Sequence, residues 1–558
     1  MLATVHGDGQ LMPTGDAGPR QPISAMTSEI VPEDTQRIAA GASDEVRPGG
    51  RAHSQSQAAL RVAVSTSAHT SAPISAPMSV DHAAARAIVF GIMLAMFLSA
   101  LEQTIVAPAL PAIGKSLGGI DDLSWVVTAY LLAATATTPL FGKLSDIYGR
   151  RAVMLSAIGV FVIGSVACAM APSIWFLIAA RAVQGIGGGG LLPIAQTVIG
   201  DMLSPRERPI IQGYTSVMFM TASTLGPVLG GLLTDHLHWS LIFWINLPLG
   251  LIALATTDRA LRKLPRHDRR HQLDVFGAAS MVAAALTLML ALTWGGTRYA
   301  WSSWQVVTLF VASATLWCLF VLRLLSAREP FIPLAILGGR VTGTIICAAF
   351  FSVGTIIGIT IYTPLYCQTV LGISASQSGL TLIAFMAGTV ISSQTTMRLM
   401  VRIKHYMRIP MVSLTIAIVV LGVLASNPTG LSLTEFAFLL FGLGCGLGPM
   451  YPMSTLITQN SVKPHQMGTA TGALNFFRTL GGALIVAVFG ALVLGGVSDG
   501  SGIMTLEKIT ASHGDLAPAF HHVFIAAIIF VAISLCCLLA VEERPMHGPV
   551  RLGDAGAE

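Results

Sequence analysis

The chain has 558 residues, 53% of them hydrophobic and 11% charged, with a mean hydropathy of +0.71 and a net charge of +5. A soluble domain carries about 25% charged residues, so this composition excludes a soluble enzyme or binding module and fits an all-α protein that crosses a membrane many times. The basic residues are dispersed among short loops, which argues against a nucleic-acid partner.

Residues 1–85 are rich in Ala, Ser, Gly and Pro and lack an apolar run followed by a cleavage site, so they read as a disordered cytoplasmic tail. Met78, just before the first apolar stretch, is an alternative start. A span needs about 20 apolar residues to cross roughly 30 Å of hydrocarbon. Fourteen such stretches are predicted, near 87–112, 123–142, 152–171, 174–198, 210–233, 239–258, 274–294, 303–325, 341–366, 376–397, 409–425, 432–453, 467–494 and 519–541. With a cytoplasmic N-terminus, twenty Lys and Arg fall on inside loops and at Arg544 just after the last span, and only Lys115, Arg298 and Lys508 fall on outside loops. That asymmetry predicts a cell-membrane protein with both termini inside. Trp125, Trp175, Trp239, Trp294, Trp301 and Trp304 then sit at outer ends, where amphipathic rings favour the interface.

Charges inside apolar runs carry the functional signal. "ALEQTIVAPALPAI" (100–113) puts Glu102 in the first span, and "RAVQGIGGGG" (181–190) puts Arg181 in the fourth. A charged side chain at a helix centre costs roughly 2.5–3.5 kcal/mol on insertion scales, so each needs a reason to be there. Glu102 lies roughly 15 Å inside the outer end of its span and Arg181 roughly 12 Å inside that of its own, at 1.5 Å per residue. Charges at matched depth offset part of each other's cost when they face a shared water-filled cavity. Gln184, one turn from Arg181, can hydrogen-bond within that cavity. The bland alternative is a structural ion pair.

Other stretches are read in the same way. "GKLSDIYGRR" (142–151), between the second and third spans, combines Gly142 and Gly149 with Asp146, Arg150 and Arg151. Glycine allows close helix approach, Asp146 can accept hydrogen bonds from helix N-termini or from Arg, and the two arginines anchor the inner face. "LGPVLGG" (225–231) in the fifth span sets Gly226, Gly230 and Gly231 around Pro227, giving close packing and a kink. "NFFRTLGG" in the thirteenth adds Arg478 as a third membrane-level cation, and Tyr362, Tyr366 and Gln368 near the outer end of the ninth can contact substrate or form an interface belt. "RLMVRIKHYMR" (398–408), the counterpart of the 142–151 loop, keeps the bases without its Gly and Asp. The 496–518 loop, the longest outside, looks merely flexible.

Several tempting matches are rejected. Gly185, Gly187 and Gly190 satisfy G-x-G-x-x-G inside an apolar span and not after a strand. "GKS" at 114–116 would need a glycine where Ala109 stands, so no ATPase module is expected and the energy source is an ion gradient or the substrate's own gradient. His236 and His238 lack a third metal ligand, and the seven cysteines lack metal-ligand spacing and read as packing residues.

Together these motifs, over residues 86–541, resemble the fourteen-span drug:proton antiporter family of the major facilitator superfamily. That resemblance implies two six-helix bundles, 86–258 and 329–541, separated by a basic membrane-anchored linker (259–273) and two additional helices (274–328), with a cytoplasmic tail at 542–558. It implies that the Gly142–Arg151 loop latches the halves in the outward-open state and that the fifth-span glycines mark an exporter. It further implies that Arg181 tunes proton exchange at Glu102, where Asp is commoner, and that Arg478 either lines the cavity or partners Asp146. No acid lies inside the tenth or thirteenth spans, which puts doubly charged substrates in doubt. The expected function is proton-coupled efflux of hydrophobic, cationic or neutral small molecules with no cofactor. A dedicated exporter of one metabolite, antibiotic or siderophore is the alternative on the same scaffold. Any periplasmic adaptor or outer-membrane channel is left open.

Overall fold

Backbone polar groups in hydrocarbon must be satisfied within the chain, which leaves an apolar run one economical choice, the helix. The computed structural model describes residues 82–541 apart from 120–121, 204–206, 263–272, 328, 401, 404, 428–429 and 496–515. Fourteen helices among these are long and apolar enough to cross a membrane. The expected tails at 1–85 and 542–558 lie outside the described residues except for His82–Ala85, where the first helix has already begun. Most of the 259–273 linker and of the 496–518 loop, with Met78, also lies outside them.

Spans 1 to 6 are Val89–Leu117, Leu123–Tyr148, Arg150–Ala169, Ile174–Met202, Arg208–His236 and Leu241–Arg259. Spans 7 and 8 are Val275–Trp294 and Trp304–Ser326. Spans 9 to 14 are Thr342–Thr369, Gln377–Met400, Arg408–Ser426, Leu433–Ser461, Pro464–Val493 and Ala517–Leu539. Two spans are broken where proline removes a backbone donor: span 1 at Val106–Ala109, around Pro108, and span 12 at Gly448–Pro449. Large apolar side chains such as Ile163, Val311 and Phe438 stay exposed on the outer faces, which suits a lipid surround.

The first half is organised around span 4, which packs against spans 2 and 3. Its glycine run makes this possible. Gly185 and Gly188 lie against Tyr130, Gly187 against the backbone of Phe161, and Gly190 against Phe141 and Ala157. The G-x-G-x-x-G pattern is thus a packing surface with a small residue at each point of helix contact.

Spans 9 to 14 share a separate core that includes Tyr366, Phe385, Phe436 and Phe520. A further core joins spans 7 and 8 to both halves through Leu132 of span 2, Ile346 of span 9 and Phe476 of span 13. Aromatic pairs fasten it: Trp125 meets Trp294 edge-on at 5.9 Å, and Trp317 lies 6.4 Å from Phe476. The two additional helices therefore pack across the line where span 2 meets span 13.

Candidate functional site

Spans 1, 2, 3, 4 and 6 converge on Glu102 and Arg181. The guanidinium Nη1 donates to Glu102 Oε1, so the two depth-matched charges form an ion pair. Arg181 also donates through Nε to the Val126 carbonyl at 2.9 Å and through Nη1 to Gln184 Oε1 at 2.7 Å. It lies 4.4 Å from the centre of the Tyr130 ring and 5.7 Å from that of Phe243, within cation–π range. The second Glu102 oxygen accepts from Asn246 Nδ2 at 2.6 Å. Asn246 also donates to Ser165 Oγ at 2.9 Å, and Ser165 in turn donates to the Phe243 carbonyl. Gln184 Nε2 closes the ring by donating to Ser165 at 3.3 Å.

This corrects one expectation. Glu102 and Gln184 are 0% exposed and Arg181 is 1% exposed, so in this conformation they face the interior of the first half and not a shared water-filled cavity. The reason is azimuthal: depth along a helix is countable from the sequence, but the direction a side chain points is set by its neighbours. Asn246, Ser165 and Tyr130 were missed because neutral polar residues scattered over three spans give no one-dimensional signal. Asn246 had the best clue, an amide inside an apolar run. Here it starts the second segment of a span interrupted at Ile245.

The fifth-span glycines back this site from outside. Added side chains at Gly226 or Gly230 would collide with Thr104 and Ile105 of span 1, next to Glu102. Thr104 Oγ1 bonds across to the Ala222 carbonyl at 3.3 Å. Pro227 lies inside the same helix, whereas Gly231 has open space where a Cβ would point and takes no part in the contact.

The Gly142–Arg151 stretch is not a loop of several residues. Helix continues through Tyr148 and resumes at Arg150, with only Gly149 between, at φ +87° and ψ 148°. That conformation strongly favours glycine. Asp146 therefore sits in the last turn of a helix. It accepts from the Gly468 and Thr469 amides at 3.0 and 2.6 Å and from Thr469 Oγ1 at 2.6 Å. These amides belong to the first turn of the span 13 helix, where N–H groups lack intrahelical partners and the helix dipole favours an anion. Arg150 bonds Asp146 at 2.5 Å and Asp201 at 2.8 Å. Arg151 pairs instead with Asp258 of span 6 at 2.6 Å. More bonds join the halves on this side: Arg208 to Asn460 at 2.8 Å, Gln459 to the Gln196 carbonyl at 3.0 Å and Asn475 to Gln196 Oε1 at 2.7 Å.

Arg478 does not bond Asp146. It donates to the Tyr451 carbonyl at 2.5 Å, Ser454 Oγ at 2.6 Å, Thr455 Oγ1 at 2.9 Å and Asn475 Oδ1 at 3.2 Å, and lies 4.3 Å from the centre of the Tyr451 ring. Tyr362 donates to the Val486 carbonyl at 3.2 Å, beside Phe489. Tyr366, expected at a cavity or an interface, is 1% exposed and packed among Phe436, Phe520 and Phe524 inside the second half. Its position near a span end suited a belt, but it points inward.

The sequence model described as Major Facilitator Superfamily matches residues 92–486. Multidrug transporter protein MdtP of Bacillus subtilis is 34% identical over 408 residues, covering 73% of this chain and 75% of that protein. Efflux pump dotC of Dothistroma septosporum is 32% identical over 440 residues, covering 77% and 74%. Among solved structures, the human organic anion transporter MFSD10 (TETRAN) superposes with a TM-score of 0.55 at 17% identity, over 80% of this chain and 99% of that one, a likeness of fold.

Proposed function

The chain belongs to the major facilitator superfamily, and we propose that it is a proton-coupled exporter of hydrophobic, cationic or neutral drug-like compounds, working by alternating access between its six-helix halves. The names of its relatives support efflux, and the buried Glu102–Arg181 pair is the observation that carries proton coupling. A carboxyl in a dry interior and a carboxyl in water hold a proton with different affinity, and a neighbouring guanidinium adds a further bias. Protonation of Glu102 turns a neutral pair into a lone buried cation, so proton occupancy is linked to hydration of Arg181. A movement that wets the site thereby exchanges a proton.

The Asp146 bonds supply the matching conformational element. With the basic loops on the cytoplasmic side, the bonds from Asp146 to span 13 close the cytoplasmic end, as in an outward-open state. Parting them opens the other path, so Asp146 acts as a latch on one end state.

The test uses purified protein in proteoliposomes with ethidium, a lipophilic cation. Glu102→Gln keeps size and hydrogen bonding but removes titration, so it abolishes pH-gradient-driven accumulation while downhill equilibration persists. Glu102→Asp retains part of the coupling. Accumulation against a gradient by the Gln form would remove Glu102 from the coupling role.

A further inference from the structure

We propose that Arg478 and the polar side chains around it form a recognition site for the carboxylate of an amphipathic acid or zwitterion, which extends the range of compounds the exporter moves. The inference rests on the exporter reading above and on the charge balance of the second half. Between residues 341 and 495 the sequence holds one acid, Glu435. That residue is committed to a capping box with Ser432 at the start of span 12, in the helical segment before the break that separates it from Tyr451. Glu102 is taken by Arg181, Asp146 by Arg150 and span 13, and Asp201 by Arg150. Among the described residues, the ion pairs include none to Arg478.

Arg478 is nevertheless 2% exposed. Its hydrogen-bond acceptors are neutral carbonyl, hydroxyl and amide oxygens, and its Nε has no partner. A buried guanidinium normally meets a carboxylate in a two-pronged arrangement, and here the fork is filled by neutral groups that a stronger acceptor would displace. The position suits a transported molecule. Asn475 links Arg478 to Gln196 of the first half, and Tyr451 packs 5.9 Å from Phe219 of span 5. Separation of the halves breaks these links and uncovers the cation beside the Tyr451 ring, with Phe219 on the opposite wall. Charge for the acid and rings for the apolar body are the two requirements of an amphipathic carboxylate.

Rhodamine B, which has a free carboxylate, and its ethyl ester, which lacks one, share a chromophore. Fluorescence anisotropy with the purified full-length protein should show the acid binding about ten- to hundredfold more tightly than the ester, the range expected for hydrogen bonds to a charged group. Arg478→Gln should erase that preference while ester affinity stays, which also shows that the variant is folded. Arg478→Lys, with the charge but not the fork, should fall between. The proposal is overturned if the wild type binds the acid no more tightly than the ester, absent acid binding included, or if the preference survives Arg478→Gln. Loss of the preference when gluconate is replaced by chloride assigns the site to an inorganic anion and overturns it too. Gradient-driven transport of the ester in proteoliposomes separates the two readings: ester transport without acid preference sinks this site and leaves the exporter standing, and acid preference without transport does the reverse.

Discussion

Arg181 and Arg478 are both almost fully buried, both lie over a tyrosine ring and both are surrounded by carbonyl and amide oxygens, yet only Arg181 has a carboxylate. Arg181 is neutralised inside one bundle by Glu102 of span 1, with further contacts from spans 2, 4 and 6 of the same half. Arg478 sits where the halves meet and is balanced by dipoles alone. A charge compensated within a rigid bundle can be altered only by a proton or by rearrangement of that bundle. A charge balanced only by dipoles at the boundary between the halves can still take a stronger acceptor, as proposed above.

The comparison breaks most visibly through stability. Arg181→Ala strands the Glu102 carboxylate in the interior with neutral donors such as Asn246, and removal of one partner from a buried pair costs about 3–5 kcal/mol. Denaturant unfolding of the purified protein should register that loss. The apolar double variant Glu102→Leu/Arg181→Met should recover most of it, because the pair's own desolvation cost goes with it. A wild-type unfolding curve for Arg181→Ala would mean that the pair does not neutralise the first half.

Asn246→Ala probes the same site more gently. It deletes a hydrogen bond to a charged group, worth about 1.5–3 kcal/mol, and should slow the proposed proton-coupled transport without abolishing it. The smallest effect belongs to Arg478→Met, which should unfold within about 1 kcal/mol of wild type, since no counter-charge is orphaned and the hydroxyls of Ser454 and Thr455 already donate to carbonyls of their own helix. A loss as large as that of Arg181→Ala would reveal a hidden counter-charge and end the contrast.

What could be read in advance follows the same division. Hydropathy located the fourteen spans because lipid demands it residue by residue, whereas the breaks at Pro108 and Pro449 had no distinct mark, since Pro139, Pro193 and Pro364 lie inside unbroken helices. Glu102 and Arg181 stood out because charge is rare in apolar runs. Counting along the helix aligned their depths but not their direction, so their enclosure, and that of Tyr366, emerged only from packing. The 142–151 stretch was legible as a junction. That it shrinks to Gly149 alone depends on a backbone angle that no spacing encodes.

Gly142 has one more consequence. It stands against Gly468 and Gly472 of span 13, so near that a Cβ would come within 3.1 Å of the Gly472 Cα. At this point the halves touch main chain to main chain, without intervening side chains. Opening there releases almost no frozen rotamers and closing freezes almost none, so the entropic toll that interdigitated side chains would impose on every transport cycle is small at this joint. Rapid cycling is favoured by a surface with nothing to unlock. A single methyl group at Gly142 would act as a wedge, tilting the population away from the closure described here without touching any charged residue.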